Sequence, residues 1–291
     1  MIERIRNTAF RAARIDRIAQ LKTIVADYPG QRLTSRQVYY QFVARGLIEN
    51  TERSYKLTTK LITDARYAGE LDWEVIEDRG REPMVPSEWE GLPQLVDSAL
   101  RGYRRPRWDS QPCYLELWVE KQALAGVLAP IAHQRHVTLM VNKGYSSASA
   151  MKDSASRMLA FGGAREKVIA YLGDHDPSGE DMVRDIGDRA REFGVTNLQV
   201  VKLGLTIAQV HRLKLPPNPA KITDSRAAAY IAKYGPQSWE LDALPPDELT
   251  SMVDTFITSM IDAELMAEVV AQENRDKARL RAAVQNIMEA A

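Results

Sequence analysis

Two aspartates, two residues apart, close an apolar run in Gly173-Asp174-His175-Asp176-Pro177-Ser178-Gly179. The preceding Lys167-Val168-Ile169-Ala170-Tyr171-Leu172 predicts a buried strand, and Pro177 with Gly179 predicts a turn into a helix beginning near Glu180. Ligands of open α/β sheets gather outside the carboxyl ends of parallel strands. Two carboxylates held there repel each other without a cation, and hard oxygen ligands of this kind suit Mg2+ that keeps several waters. Asp is also favoured at helix starts and in turns, so the same pair could serve only as cap and turn residues.

A further acid lies upstream. Cys113-Tyr114-Leu115-Glu116-Leu117-Trp118-Val119 reads as a strand that delivers Glu120 and Lys121 just before a helical pattern over residues 123–131. Residues 137–141 predict one more strand, followed by the turn Lys143-Gly144-Tyr145-Ser146-Ser147 and a helix rich in Ala, Ser and Met. Strand, helix, strand, helix, strand is the unit of a parallel sheet with right-handed crossovers. It can bring Glu120, Lys143, Asp174 and Asp176 to one rim.

The amino-terminal third has a different pattern. Residues 2–28 read as one helix ended by Pro29-Gly30, and Thr34 or Ser35 caps a second helix running from Arg36 towards Arg45-Gly46. A third begins at Ser54 and closes at Tyr67-Ala68-Gly69; residues 71–78 then read as a short strand before the loop Arg79-Gly80-Arg81-Glu82-Pro83. Helices followed by a small β wing suggest a winged-helix module. Within it, Arg36 lies four residues before Tyr40, on the same helix face. A phenol with a pKa of about 10 needs such a cation, or a metal, to attack a phosphodiester. Tyr39 and Tyr40 diverge by about 100° around the helix, so one is expected in the core and the other presented.

These motifs resemble those of the topoisomerase VI A-subunit family, to which the meiotic double-strand-break protein belongs. Glu120 after the first strand and Asp174-His175-Asp176 after the third resemble the signature of Toprim domains, found in topoisomerases, primases and related nucleases, and Asp176-Pro177-Ser178-Gly179 resembles the variant of that family. Arg36-Gln37-Val38-Tyr39-Tyr40 is similar to its Arg-Asp-x-Tyr-Tyr motif, with Gln37 in place of the aspartate. Trp239-Glu240-Leu241-Asp242-Ala243-Leu244-Pro245-Pro246 resembles a segment near the end of the Toprim region, which makes Glu240 and Asp242 secondary candidates for the rim.

The resemblance implies an α/β chain with an N-terminal winged-helix domain over residues 1–108. A Toprim domain, Rossmann-like with a parallel sheet, follows over residues 109–291 and ends in a helical extension. It implies Mg2+ bound by Glu120, Asp174 and Asp176, with Tyr40 attacking phosphorus and Arg36 steadying the phosphate. Glu120 would be a metal ligand, or acid and base for the leaving 3′-hydroxyl, and Lys143 a lesser phosphate contact. It further implies a homodimer in which the tyrosine of one protomer faces the metal site of the other, and a separate ATPase chain wherever strands are passed. Two alternatives stay open: a hydrolytic nuclease in which a metal-activated water replaces tyrosine, and a DNA-binding protein with a vestigial site, to which the loss of charge at Gln37 points.

Composition permits these readings. Lys plus Arg equals Asp plus Glu at 39 each, so a positive field for DNA must be local. Arg4, Arg6, Arg11, Arg14 and Arg17 supply one candidate track; Arg101, Arg104, Arg105 and Arg107, with Tyr103 among them, supply another. The single cysteine, Cys113, sits in a predicted buried strand, which argues against a disulfide framework and fits a reducing cytoplasm. No apolar run approaches the ~20 residues that cross a bilayer, so no membrane association is expected. A Gly-x-x-x-x-Gly-Lys phosphate loop is missing from the sequence. The amphipathic pattern over residues 262–289 predicts a last helix that docks on its own domain or on a second copy.

Overall fold

The computed structural model describes residues 4–77, 86–142, 144, 146–162, 164–220 and 224–285. Ile18, Leu21 and Ile24 bury one face of α1 (Ala12–Ala26). The helix expected from residue 2 begins only at Ala12, because the amides of Ile5 and Arg6 both donate to the Tyr67 carbonyl and draw the chain off the helical path. β1 (Leu33–Thr34) leads into α2 (Ser35–Ala44), which opens on a reciprocal cap: Gln37 N donates to Thr34 Oγ1 at 3.0 Å, and Thr34 N donates to Gln37 Oε1 at 2.8 Å. Gln37 thus has a local task at the start of the helix.

α3 (Glu52–Tyr67), capped by Thr51, follows, and β2 (Ile76–Glu77) pairs with β1. Leu33, Val38, Phe42, Leu61, Ile62 and Ile76 close over the stripe of α1 to form one apolar cluster. Each fully buried aliphatic side chain there contributes about 2 kcal/mol. The β1–β2 pairing is parallel and two residues long, and the loop at residues 79–83 lies outside the described residues.

After α4 (Leu92–Gly102) the chain enters the sheet. β3 (Cys113–Val119), α5 (Gln122–Arg135), β4 (Thr138–Val141), α6 (Ala148–Ala160), β5 (Glu166–Leu172), α7 (Pro177–Glu192) and β6 (Leu198–Gly204) alternate strictly, and the four strands are parallel in the order β4-β3-β5-β6. Period-2 alternation sorts the side chains. Leu115, Leu117, Val119, Val168, Ala170 and Leu172 pack on one face with Leu124, Val127 and Leu128 of α5; Trp118, Ile169 and Tyr171 pack on the other with Met151 and Met158 of α6 and Met182 and Ile186 of α7. β4 and β5 flank β3 on opposite sides, so strand order reverses at β3 and a crevice opens at its carboxyl end.

The remaining elements are α8 (Ile207–Leu213), β7 (Asn218–Pro219), α9 (Ala227–Tyr234), β8 (Gln237–Ser238), α10 (Pro246–Ser259) and α11 (Ala263–Ala283). Leu249, Val253 and Ile257 of α10 complete the core on the α5 side. β8 pairs antiparallel with β7, and Trp239 exchanges backbone hydrogen bonds with His175 of 2.8 and 3.0 Å. That bridge carries residues 240–242 to the rim. Among the described residues no helix is long and apolar enough to cross a membrane.

Candidate active site

Glu120 and Asp174 meet at the carboxyl edge because β3 and β5 are hydrogen-bonded neighbours with Val119 opposite Leu172. Glu120 Oε2 accepts from the Tyr171 hydroxyl and from the Asp174 amide, both at 3.1 Å. Gly173, just before Asp174, leaves the room this arrangement uses. A Cβ on Gly173 would lie 2.2 Å from the Tyr171 hydroxyl oxygen and 2.7 Å from Glu120 Oε2.

Lys121 lies at the centre of the rim. Its Nζ is 2.9 Å from Asp174 Oδ1, 3.0 Å from Glu240 Oε2 and 2.7 Å from Asp242 Oδ2. Burial disfavours its charge, but Asp242, Asp174 and Glu240 together hold its pKa above the ordinary lysine value. Asp174 also accepts from the Leu241 amide at 2.8 Å, yet burial, aided by Glu120 and opposed by Lys121, pushes its carboxyl up to about 6. Arg36 reaches the cluster from α2, with Nη1 2.9 Å from Glu240 Oε2. The helical module and the sheet therefore share one ion network.

Asp176 occupies the cap position anticipated for it. Its Oδ1 accepts from Gly179 N at 2.7 Å and from Ser178 Oγ at 3.1 Å, which starts α7 three residues before Glu180. Beneath the loop, Lys202 Nζ donates to the Asp174 carbonyl at 2.9 Å and to Glu180 Oε1, which also lies 2.8 Å from His175 Nδ1. Although burial opposes it, His175 and Lys202 hold the Glu180 carboxyl down at about 2. This layer fixes the Asp174–Asp176 backbone from below.

A cleft of about 570 Å³ opens above the network. Arg36, Tyr55, Glu120, Lys121 and Asp242 line it, together with the first turns of α2 and α5. The all-oxygen donor set suits a hard divalent ion. Glu120 Oε1, Asp174 Oδ2 and Asp176 Oδ2 enter no hydrogen bond among the described residues, so each carboxylate keeps one oxygen for a ligand. The three do not converge on a single point as they stand, and among the described residues no other group of three His, Cys, Asp or Glu side chains does. The chemistry fits Mg2+, with Lys121 resting where it would have to yield Asp174.

The tyrosines depart from expectation. Tyr39 and Tyr40 are both buried, at 3% and 2% exposure, and their rings meet edge to face at 5.1 Å. The 100° argument fails because α2 is covered on two sides. Val38 and Phe42 face α1 and α3, while Tyr39 and Tyr40 join the core of the sheet. The Tyr40 hydroxyl accepts from Asn218 Nδ2 at 3.0 Å, and burial, with Glu240 nearby, holds its pKa above the ordinary phenol value. It does not line the cleft. Among the described residues the tyrosine that does is Tyr55 of α3, whose ring centre lies 4.7 Å from the Arg36 guanidinium carbon.

The basic tracks are largely engaged within the chain. Arg14 pairs with Asp64, Arg101 with Asp97, Arg104 with Glu273 at 3.7 Å and Arg105 with Asp276 at 3.3 Å. Arg4 and Arg11 are exposed, but they precede α1 and do not extend it. Lys143 lies outside the described residues.

Comparison with protein-family models, with curated proteins and with solved structures returns no match. The site's own residues carry the reading. Glu240 and Asp242, secondary in the sequence, stand in the centre of the network. Sequence reasoning noted Lys121 only as the neighbour of Glu120 and assigned no role to Tyr55, Lys202 or Glu180. An unusual lysine directly at a predicted strand end was the one signal available for Lys121.

Proposed function

We propose that this protein is a DNA-cleaving enzyme of the topoisomerase VI A-subunit type, acting on a phosphodiester held in the cleft between α2 and the carboxyl edge of the sheet. The observation that carries the reading is the meeting of Glu120, Asp174, Glu240 and Asp242 with Lys121 and Arg36 at that edge, below an open cleft. In this reading the sheet and its helices form a Toprim-like domain, and α1 to α3 form the DNA-docking module expected of a winged helix. Arg36 and Lys121 bind the phosphate oxygens, and Glu120 takes a proton from the nucleophile and returns one to the leaving 3′ oxygen. Mg2+ held by Glu120, Asp174 and Asp176 would neutralise charge on the phosphate. A second copy of the chain, a separate ATPase chain and a cytoplasmic location belong to the same proposal.

A hydrolytic nuclease is the second reading, favoured by the burial of the Tyr40 hydroxyl. Incubation with supercoiled plasmid and Mg2+, stopped with detergent with and without protease, separates the two. Broken DNA that carries protein supports a tyrosine, and free 5′-phosphate ends support water. Plasmid that is shifted but intact would remove both in favour of a binding protein with a vestigial site.

A further inference from the structure

Resting on the metal-dependent reading above, we infer that Glu240 and Asp242 form a dock for the Lys121 ammonium, which keeps it at the rim when Asp174 is given over to a divalent cation. The two acids are positioning residues in this arrangement, and Lys121 is a counter-ion with two resting places. Its Nζ already spans both, 2.9 Å from Asp174 Oδ1, 3.0 Å from Glu240 Oε2 and 2.7 Å from Asp242 Oδ2. An ammonium has three donors, and here three carboxylates face them.

The three acids differ in what each keeps if Lys121 moves. Asp174 Oδ1 also accepts from the Leu241 amide at 2.8 Å, and Asp174 Oδ2 enters no hydrogen bond among the described residues. Asp174 can therefore release the lysine once another cation arrives. Asp242 cannot. Its side chain is 1% exposed, Thr34 Oγ1 lies 3.4 Å from its Oδ1, and among the described residues Lys121 is the one cation paired with it. A buried carboxylate stripped of its cation is strongly disfavoured, so the ammonium stays with Asp242. Glu240 lies between these two cases, because Arg36 Nη1 is 2.9 Å from the same Oε2 that meets Lys121.

The exchange needs only a side-chain rotation. The Glu120 amide donates to the Leu172 carbonyl at 2.8 Å, and Lys121 is the N-cap residue of α5, so its backbone is held between strand and helix. Leu241, whose amide binds Asp174, stands between Glu240 and Asp242 in the chain and ties the dock to the acid that the lysine releases. Glu120, Asp174, Glu240 and Asp242 face only Lys121 and Arg36 at the rim, so a divalent cation balances the excess negative charge without expelling the ammonium. Lys121 then remains beside Arg36 in the lining of the cleft, where both cations can meet a phosphate. Metal loading and readiness for phosphate are thereby coupled.

Calorimetric titration of Mg2+ into the DNA-free protein tests these roles apart from cleavage. Lys121→Met is expected to bind Mg2+ about tenfold more tightly, because no resident cation has to leave Asp174. Asp242→Asn is expected to weaken binding about tenfold when Lys121 is present and by less than about threefold in the Lys121→Met background, because Asp242 acts through the lysine. A loss of roughly a hundredfold in both backgrounds would mark Asp242 as a metal ligand and overturn the dock, as would Mg2+ affinity that Lys121→Met leaves unchanged or weaker. The unaltered protein gives a second measurement that no folding defect can obscure. In crystals soaked with Mn2+, located by anomalous scattering, Lys121 Nζ is expected within about 3 Å of Glu240 and Asp242 and more than about 4 Å from Asp174. Mn2+ coordinated by Glu240 or Asp242, or a lysine still on Asp174 beside bound Mn2+, overturns the inference and leaves the metal reading standing. A rim that takes up no Mn2+ at saturating concentration removes both.

Discussion

Two carboxylates in this molecule lie against cations, and their acidities move in opposite directions. Glu273 on α11 is 2% exposed and accepts from Arg107 at 3.0 Å, Lys277 at 2.8 Å and the Arg105 amide at 3.1 Å; these partners overcome the cost of burial and hold it at about 2. Asp174 at the rim touches Lys121, but burial, with Glu120 close by and Lys121 shared with Glu240 and Asp242, pushes the Asp174 carboxyl up to about 6. The first cluster has positive charge to spare and closes on itself. The second lacks positive charge and faces an open cleft. A buried cluster short of cations is one that a divalent ion completes.

The sharpest way to break this contrast is to remove the rim's one central cation. Lys121→Met leaves Asp174, Glu240 and Asp242 without their shared partner and is expected to cost about 3 kcal/mol in unfolding free energy measured in a chelator. Urea melts repeated in Mg2+ are expected to recover much of that loss, because the metal supplies the missing charge. An equal deficit with and without Mg2+ would count against a cation-deficient rim.

Glu273→Gln should cost less, about 2 kcal/mol at pH 7, and should leave cleavage untouched. The pH dependence has a definite sign. A carboxyl held at about 2 when folded and near 4.5 when unfolded stabilises the protein above pH 4.5, and the contribution is lost as pH falls towards 2. Melting curves of the two proteins should therefore converge between pH 4.5 and 2.

The smallest effect is expected from the arginines that the α4–α11 cluster already uses. Changing Arg101, Arg104 and Arg105 together to Gln should alter the salt slope of DNA binding by less than about 1, against roughly 3 if each met a phosphate. Fluorescence anisotropy of a labelled duplex across a salt series measures it. A drop near 3 would return this run to the DNA track.

The elements of the sheet were legible because local pattern and tertiary demand coincide there. A strand buried on both faces, as at residues 167–172, cannot be mistaken for exposed structure, and Asp176 with Pro177 announces the start of α7. The mixed α/β class and the parallel sheet follow from that repetition. What local pattern cannot carry is contact between distant segments. Glu240 comes to Lys121 only through the pairing of Trp239 with His175, and Tyr40 is buried only because Asn218 and the sheet core close over α2. Arginines in a row look like a nucleic-acid track until α11 brings Glu273 and Asp276 to them. The start of α1 was misjudged for a similar reason, since the Tyr67 carbonyl that diverts residues 5 and 6 lies at the far end of α3.

The central claim is that the cation-deficient rim, and no other acid in the chain, drives DNA cleavage. Supercoiled plasmid incubated with the unaltered protein, with Glu120→Gln and with Glu273→Gln, each in Mg2+ and in chelator, tests it in one gel. The account predicts broken plasmid in Mg2+ for the unaltered protein and for Glu273→Gln, none in chelator, and a loss of roughly a hundredfold or more for Glu120→Gln. Cleavage by Glu120→Gln at the unaltered rate, or plasmid left intact by the unaltered protein at every Mg2+ concentration, would contradict it.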